Sequence, residues 1–391
     1  MTSTKAAKPP PEPFILRGHE AGVQALAFLC ENHGTTSERG SDDFSLLASG
    51  DADGHVKLWD MGACRPCMSW IPARAAAQVT SASPSPATMK GVLSLHAFNQ
   101  GRSLLTQVRG GTVSLWDLGK CGGTPQSLRS WATGSFHFCK VSVGEVGGAD
   151  PTQLLLAPTV ESEQFQLWDM REGSRPVISF TPPGPQNRGL CMCLKLLLSG
   201  TRGAEDSNAG VGHALAVFED GSLHGWDLRM LATNDRDSFK YGTGDVAAFS
   251  VKLAQKETPL CLDVAPSRRR GILGAAGADL VTFALDLALH HCQVKQCIAL
   301  KHPGVGDVKI REDEGLWAVG GWDHRVRIFR WQDGAPLAVL RGHGATVNAL
   351  TFSPGLKTLV SGGKDARIAL WENVFPPLPP PRDTSRKKDV S

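Results

Sequence analysis

The sequence predicts an all-β fold, a seven-bladed β-propeller closed by the N-terminal strand pairing in the last blade. Three observations predict it. An aromatic five-residue segment recurs seven times along the 391 residues, and each copy is preceded by two short apolar strands. The lead-in to the first copy also reappears before the last.

The recurring segment is Val56-Lys57-Leu58-Trp59-Asp60. It returns as Val113-Ser114-Leu115-Trp116-Asp117, Phe165-Gln166-Leu167-Trp168-Asp169, Leu223-His224-Gly225-Trp226-Asp227 and Ile368-Ala369-Leu370-Trp371-Glu372. Two degenerate copies, Leu280-Val281-Thr282-Phe283-Ala284 and Val326-Arg327-Ile328-Phe329-Arg330, fill the gap, and the aromatic positions lie 42 to 58 residues apart. Apolar and polar residues alternate within a copy, the period of a strand with one buried face. Just upstream, residues 46–49, 104–107, 154–157, 215–218, 272–275, 316–320 and 358–362 read as a second strand of each unit. Further upstream, residues 23–28, 92–98, 136–143, 190–198, 260–265, 308–311 and 347–353 read as another strand. Segments such as 176–180 and 336–340 supply a fourth, and Gly, Asp, Asn and Pro clusters between the runs mark turns. A four-stranded sheet cannot bury both of its faces alone, so such units stack radially into a ring.

Closure is legible in the repetition of Pro13-Phe14-Ile15-Leu16-Arg17-Gly18-His19 as Leu337-Ala338-Val339-Leu340-Arg341-Gly342-His343. The first strand is expected to form the outer strand of the last blade, which removes an open edge. The propeller then spans 13–375, with 1–12 a Pro-rich lead expected to be disordered and 376–391 a Pro-rich basic tail. Segments 31–43, 73–89, 203–212 and 231–255 read as loop insertions, because the units that hold them exceed the ~40–45 residues of the repeat.

Composition narrows the function. Lys plus Arg is 41 against 38 Asp plus Glu, and the last ten residues supply +2 of the +3 net charge. The propeller body is therefore near neutral and lacks the basic excess of a nucleic-acid binder. No apolar run reaches the ~18 residues of a membrane span. The N-terminus lacks the apolar core of a signal peptide, and no Asn-x-Ser/Thr sequon occurs. Ten Cys in this context read as reduced thiols, so cytoplasm and nucleus are the expected compartments. No P-loop, Gly-x-Ser-x-Gly or His-Glu-x-x-His motif is present, and no catalytic, cofactor or metal set is expected. Cys64-Arg-Pro-Cys67 has no second pair, and His290-His291-Cys292 with Cys297 flanks an outer strand. Arg268-Arg269-Arg270 reads as a solvated turn. Trp322, His324 and Arg325 stand on the turn before the third strand of unit six, where an exposed Trp beside Arg suits partner contact.

The Gly-His dipeptides and the Trp-Asp segments resemble those of WD-repeat proteins over residues 14–375. The resemblance places a structural tetrad at His19, Ser49, Asp53 and Trp59 in unit one, and at His343, Ser361, Asp365 and Trp371 in unit seven. The acid six residues before the aromatic also occurs as Asp220 and Asp323, but Gly110, Ser162 and Gly277 replace it elsewhere. Units two to five therefore depend more on apolar packing.

Over about 318–374 the match narrows. Ala318-Val319-Gly320-Gly321-Trp322-Asp323-His324-Arg325-Val326-Arg327-Ile328-Phe329, followed by Pro336-Leu337-Ala338-Val339-Leu340, resembles the G-protein β-subunit-like protein 1 family, also described as the ASTRA-associated protein 1 family. The resemblance implies a non-enzymatic adaptor, a monomer within a larger complex. It would serve the co-chaperone machinery that matures phosphatidylinositol-3-kinase-related kinases, with links to chromatin-remodelling assemblies. A G-protein γ partner is not expected, because thirteen Pro-rich residues, not a helix, precede the first strand. Trp168-Asp169-Met170-Arg171 and Trp226-Asp227-Leu228-Arg229 also resemble the motif by which some WD-repeat proteins dock onto cullin-RING ubiquitin ligases. The alternative role is thus a substrate receptor acting through Arg171 and Arg229.

Overall fold

The computed structural model describes residues 12–29, 46–72, 91–119, 123–146, 152–171, 175–184, 187–198, 212–228, 242–244, 247–254, 256–355 and 358–372. The Pro-rich tail and most of the insertions 31–43, 73–89 and 203–212 lie outside these residues. The first strand, β1 (Phe14–Arg17), belongs to the last blade. Blade one is β2 (Val23–Leu29), β3 (Leu46–Asp51), β4 (Val56–Asp60) and β5 (Arg65–Trp70). Blade two is β6 (Val92–Phe98), β7 (Ser103–Val108), β8 (Thr112–Asp117) and β9 (Gln126–Ala132). In blade three β10 (Ser142–Val146), β11 (Thr152–Pro158), β12 (Phe165–Asp169) and β13 (Ile178–Phe180) are joined at the edge by β17 (Gly242–Gly244). Blade four is β14 (Cys191–Leu197), β15 (His213–Phe218), β16 (Ser222–Asp227) and β18 (Phe249–Lys252). Blade five is β19 (Pro259–Val264), β20 (Arg270–Ala275), β21 (Asp279–Asp286) and β22 (His291–Ala299). Blade six is β23 (Val305–Ile310), β24 (Leu316–Gly321), β25 (Arg325–Arg330) and β26 (Pro336–Arg341). Blade seven is β27 (Val347–Phe352), β28 (Thr358–Gly363), β29 (Arg367–Glu372) and β1. The β1–β29 pairing is antiparallel, with Phe14 opposite Leu370 and Arg17 opposite Arg367.

Apolar packing explains why the sheets form a ring. The recurring aromatic segment is always the third strand, and its indoles Trp59, Trp116, Trp226 and Trp371 are buried to 1% exposure or less. Each core cluster straddles two neighbouring blades. Phe165 and Leu167 of blade three pack with Cys191, Phe218 and Trp226 of blade four. Leu16, Ile368 and Leu370 of blade seven pack with Val23, Leu47 and Trp59 of blade one. Seven such clusters join the seven blades, so each sheet buries both faces against neighbours.

Polar side chains stitch neighbouring blades together. Asp263 accepts the Ile310 N–H at 2.9 Å, and Asp307 accepts the Leu350 N–H at 2.9 Å. Ser142 accepts the Leu196 N–H, and Gln107 accepts that of Val141. Each bond runs from one blade to an adjacent one and fixes their relative height.

Two segments depart from the sequence reading. The inner strand of blade three starts at Ser142, not at 136, and the 136–141 segment is an irregular connection. The segment 231–255 is more than an insertion. Its β17 crosses back to run parallel to β13, pairing Ile178 with Gly242 and Phe180 with Gly244. Its β18 then returns as the outer strand of blade four. The parallel strand covers an edge of blade three that would otherwise expose unpaired backbone groups.

Candidate functional site

The order of an up-and-down sheet defines two rims. The turn between a blade's second and third strands lies at the same end as the connection leaving its fourth strand. The other turns lie at the opposite end. On the first rim, beneath the surface, two polar chains pin the blades that flank the closure.

In blade one the Trp59 indole donates to Ser49 Oγ at 2.7 Å, and Ser49 bonds His19 Nε2 at 2.6 Å. His19 Nδ1 then meets Asp51 Oδ2 at 2.7 Å. With the imidazole neutral and Nδ1 protonated, every donor in this chain has an acceptor. Asp51 also accepts the N–H groups of Asp53 (3.0 Å) and His55 (2.9 Å). Burial pushes its carboxyl up, but the hydrogen bonds from His19 and the His55 N–H outweigh that and hold it below the usual carboxylate range. Blade seven repeats the chain. Trp371 donates to Ser361 at 2.9 Å, Ser361 bonds His343 Nε2 at 2.8 Å, and His343 Nδ1 meets Asp365 Oδ1 at 3.1 Å.

The acid of blade one is therefore Asp51 and not Asp53, which is a correction to the sequence reading. Asp51 follows Ser49 by two on β3, so both side chains leave the same face toward His19. Asp53 lies beyond the strand and is exposed. Blade seven has Gly363 at the position of Asp51, and a Cβ there would stand 2.5 Å from His343 Nδ1. The turn residue Asp365 reaches into that space instead. Blade two keeps half of the arrangement, with Thr106 Oγ1 accepting the Trp116 indole at 2.9 Å. In blade six Asp323 turns to Arg327, at 2.9 and 2.5 Å.

The surface of this rim carries exposed apolar groups. Trp322 is 45% exposed, lies against Gly304 and donates its backbone N–H to the Gly304 carbonyl at 3.0 Å. His324 takes a left-handed φ of +68° in the same turn, and Arg325 lies 3.6 Å from Asp323. Around blades two and three a second group gathers, which the sequence reading missed. Phe136 and Phe138 are 55% and 64% exposed, and the Arg109 guanidinium lies 4.5 Å from the centre of the Phe138 ring. Val160, 59% exposed, sits beside Gly134 in the neighbouring turn.

Arg171 lies on the opposite rim and folds onto its own blade. Its N–H, Nε and Nη2 donate to Asp169 at 2.9, 3.2 and 2.9 Å. The Arg129 guanidinium binds the Met170 carbonyl at 3.0 Å and also donates to the Arg171 carbonyl. Arg229 lies outside the described residues. The substrate-receptor alternative gains no support from this geometry.

The seven sheets, the aromatic third strands and the two tetrads define a WD-repeat β-propeller. A family model described as "WD domain, G-beta repeat" matches residues 12–60 and 334–372, the two units with complete tetrads. The mouse "Guanine nucleotide-binding protein subunit beta-like protein 1" is 30% identical over 371 residues, covering 94% of this chain and 98% of the mouse protein. The chain belongs to the guanine nucleotide-binding protein subunit beta-like protein 1 family. An "ASTRA-associated protein 1" from Verticillium alfalfae is 25% identical over 397 residues, 94% of this chain and 86% of the fungal one. The protein of that name from Schizosaccharomyces pombe is 43% identical over 72 residues, 18% of this chain and 20% of its own. Family and fold together make this chain a protein-interaction scaffold.

Proposed function

We propose that this scaffold is a non-enzymatic adaptor in the co-chaperone assembly that matures phosphatidylinositol-3-kinase-related kinases, and in associated chromatin-remodelling complexes. It works as a monomer within a larger complex, in cytoplasm and nucleus. The observation that carries the reading is the likeness to proteins named for association with ASTRA, which runs along more than nine-tenths of the chain. The partner-facing surface in this reading is the rim that bears Phe136, Phe138 and Val160 with Arg109, and Trp322 with His324 and Arg325. Exposed aromatic rings beside guanidinium groups are the side chains that most often dominate protein interfaces.

Affinity purification of the full chain, followed by mass spectrometry, tests this. Recovery of kinase-maturation co-chaperones, reduced at least tenfold in a Phe136→Ser, Phe138→Ser variant with unchanged melting, is the expected result. A cullin adaptor without those co-chaperones overturns the assignment. Undiminished recovery with the double variant overturns the choice of surface. Fractionation of cells into nuclear and cytosolic pools checks the compartments.

A further inference from the structure

On the rim opposite the aromatic surface, two blades bring three metal-ligating side chains together. His213 opens β15 and Asp227 ends β16, and the two are direct register partners, so both side chains leave blade four on one face. His290 comes from blade five, in the turn between β21 and β22, with φ at +49°. His tolerates that left-handed conformation better than most residues. His290 Nε2 stands 3.2 Å from Asp227 Oδ2, and His213 Nε2 stands 3.9 Å from the same oxygen. One ligand atom from each of the three residues lies within 4.8 Å of the other two. His213 and Asp227 are buried, while the His290 side chain is 35% exposed.

Two imidazoles and one carboxylate suit a borderline transition ion, whereas magnesium and calcium prefer oxygen throughout. A tetrahedral zinc with bonds of 2.0–2.1 Å spaces its ligand atoms about 3.3 Å apart. The His290–Asp227 pair already has that spacing, and the His213–Asp227 pair needs to close by about half an ångström to reach it. His290, on an exposed turn, has room to move toward His213. We propose that His213, Asp227 and His290 form a zinc-class site that clamps blade four to blade five, with water as the fourth ligand. The sequence alone does not display it, because 63 residues separate His290 from Asp227 and the fold alone joins them.

A plain His290–Asp227 hydrogen bond would tie the same blades without a metal, and titration separates the two cases. The full chain, carrying no polyhistidine tag, is stripped with a chelator and titrated with zinc chloride, then with cobalt chloride as a spectroscopic probe. One ion per chain, four-coordinate cobalt absorption and a zinc-dependent rise in melting temperature are expected. His290→Asn keeps a left-handed turn and hydrogen-bonding capacity, and should weaken zinc binding by at least the roughly 10–100-fold that loss of an outer-shell partner costs, without changing the metal-free melting temperature. Asp227→Asn should also weaken zinc binding, and carries the test if the first variant fails to fold. His291→Asn, at the exposed neighbour, should bind zinc as wild type does. No binding at roughly 100 µM zinc, undiminished binding by His290→Asn, or equal loss in His291→Asn overturns the proposal.

Discussion

Replacing Asp51 or Asp53 by Ala separates two acids that the sequence alone does not distinguish. Asp51 is 1% exposed and holds one bond to the His19 imidazole at 2.7 Å and two to backbone N–H groups. A hydrogen bond involving a charged group is worth about 1.5–3 kcal/mol, and a buried donor left unpaired costs a further 1–3. The N–H groups of Asp53 and His55 and the His19 Nδ1 lose their acceptor together, although water can reach the turn. We expect Asp51→Ala to cost about 2–4 kcal/mol. At ~2.1 cal/mol/K of unfolding entropy per residue, a propeller of this size loses roughly 3–5 °C of melting temperature for that change. Asp53→Ala, at an exposed position, should stay within about 0.5 kcal/mol. Thermal denaturation followed by circular dichroism reads both variants. Equal losses, or the larger loss in Asp53→Ala, would refute the assignment of the tetrad. The pH dependence adds a check. The folded carboxyl of Asp51 is depressed below its ordinary 3.8, so its stabilisation is complete at neutral pH and is lost as acid takes the pH through the folded value. Asp51→Ala should therefore unfold with a shallower acid dependence below about pH 4 than wild type.

Three further outcomes follow from the geometry. Gly304→Ala would place a Cβ 2.2 Å from the Trp322 ring at a φ of +92°, so a loss of about 1–3 kcal/mol and a shift of tryptophan fluorescence are expected. Leu16→Ala removes a side chain 2% exposed in the closing seam and should cost about 2–4 kcal/mol in urea denaturation, whereas Phe14→Ala, at 52% exposure, should cost under about 0.5. Desolvation of the half-buried ring, with Lys309 and Lys195 nearby, lowers His96 to about 3 from its ordinary 6.5. The unfolded chain then binds a proton that the folded chain refuses, and stability declines as pH falls from 6.5 toward 3. His96→Asn should flatten that decline, by up to about 1.4 kcal/mol per pH unit in the steepest region.

Much of the fold was legible because each third strand repeats one pattern with a large aromatic in a fixed place. What escaped the sequence reading did so for local reasons. Residues 136–143 contain two alternations, not one. Phe136 and Phe138 keep one phase, Cys139 and Val141 the other, and only the second set is buried. The slip between Phe138 and Cys139 marks the end of the connection and the approach to the strand, and it was the available sign that the two rings face solvent. Asp51 was hidden because the family resemblance gives both blades one spacing, which holds in blade seven, where glycine leaves a space for the turn acid. The parallel β17 has no hydrophobic pattern to announce it, since its sequence is Gly-Thr-Gly. The three ligands on the opposite rim were invisible because strand register and blade stacking, not spacing, unite them.

The two complete tetrads flank the one junction at which the ring must close. Neighbouring blades elsewhere follow one another directly in the chain, but blade one meets blade seven across most of it, as the Asn348 side-chain bond to the Val23 carbonyl across 325 residues shows. Loop-closure entropy grows only logarithmically, so a separation about seven times longer costs about 1.7 kcal/mol more than an adjacent contact. One inter-blade cluster such as Leu16, Val23, Leu47, Trp59 and Leu370 offsets that readily. Affinity is therefore not what closure lacks. Register is. β1 is a four-residue strand whose apolar alternation a two-residue slip along β29 would preserve. A slip would pull Gly18 and His19 away from Ser49 and Asp51, leaving the Trp59 chain short of its imidazole. Only Gly18 separates His19 from β1, so the blade-one tetrad reads the position of the closing strand and penalises every register but one. Blades two to six are joined in sequence order and need no such device, and among the described residues none of them carries the complete polar chain.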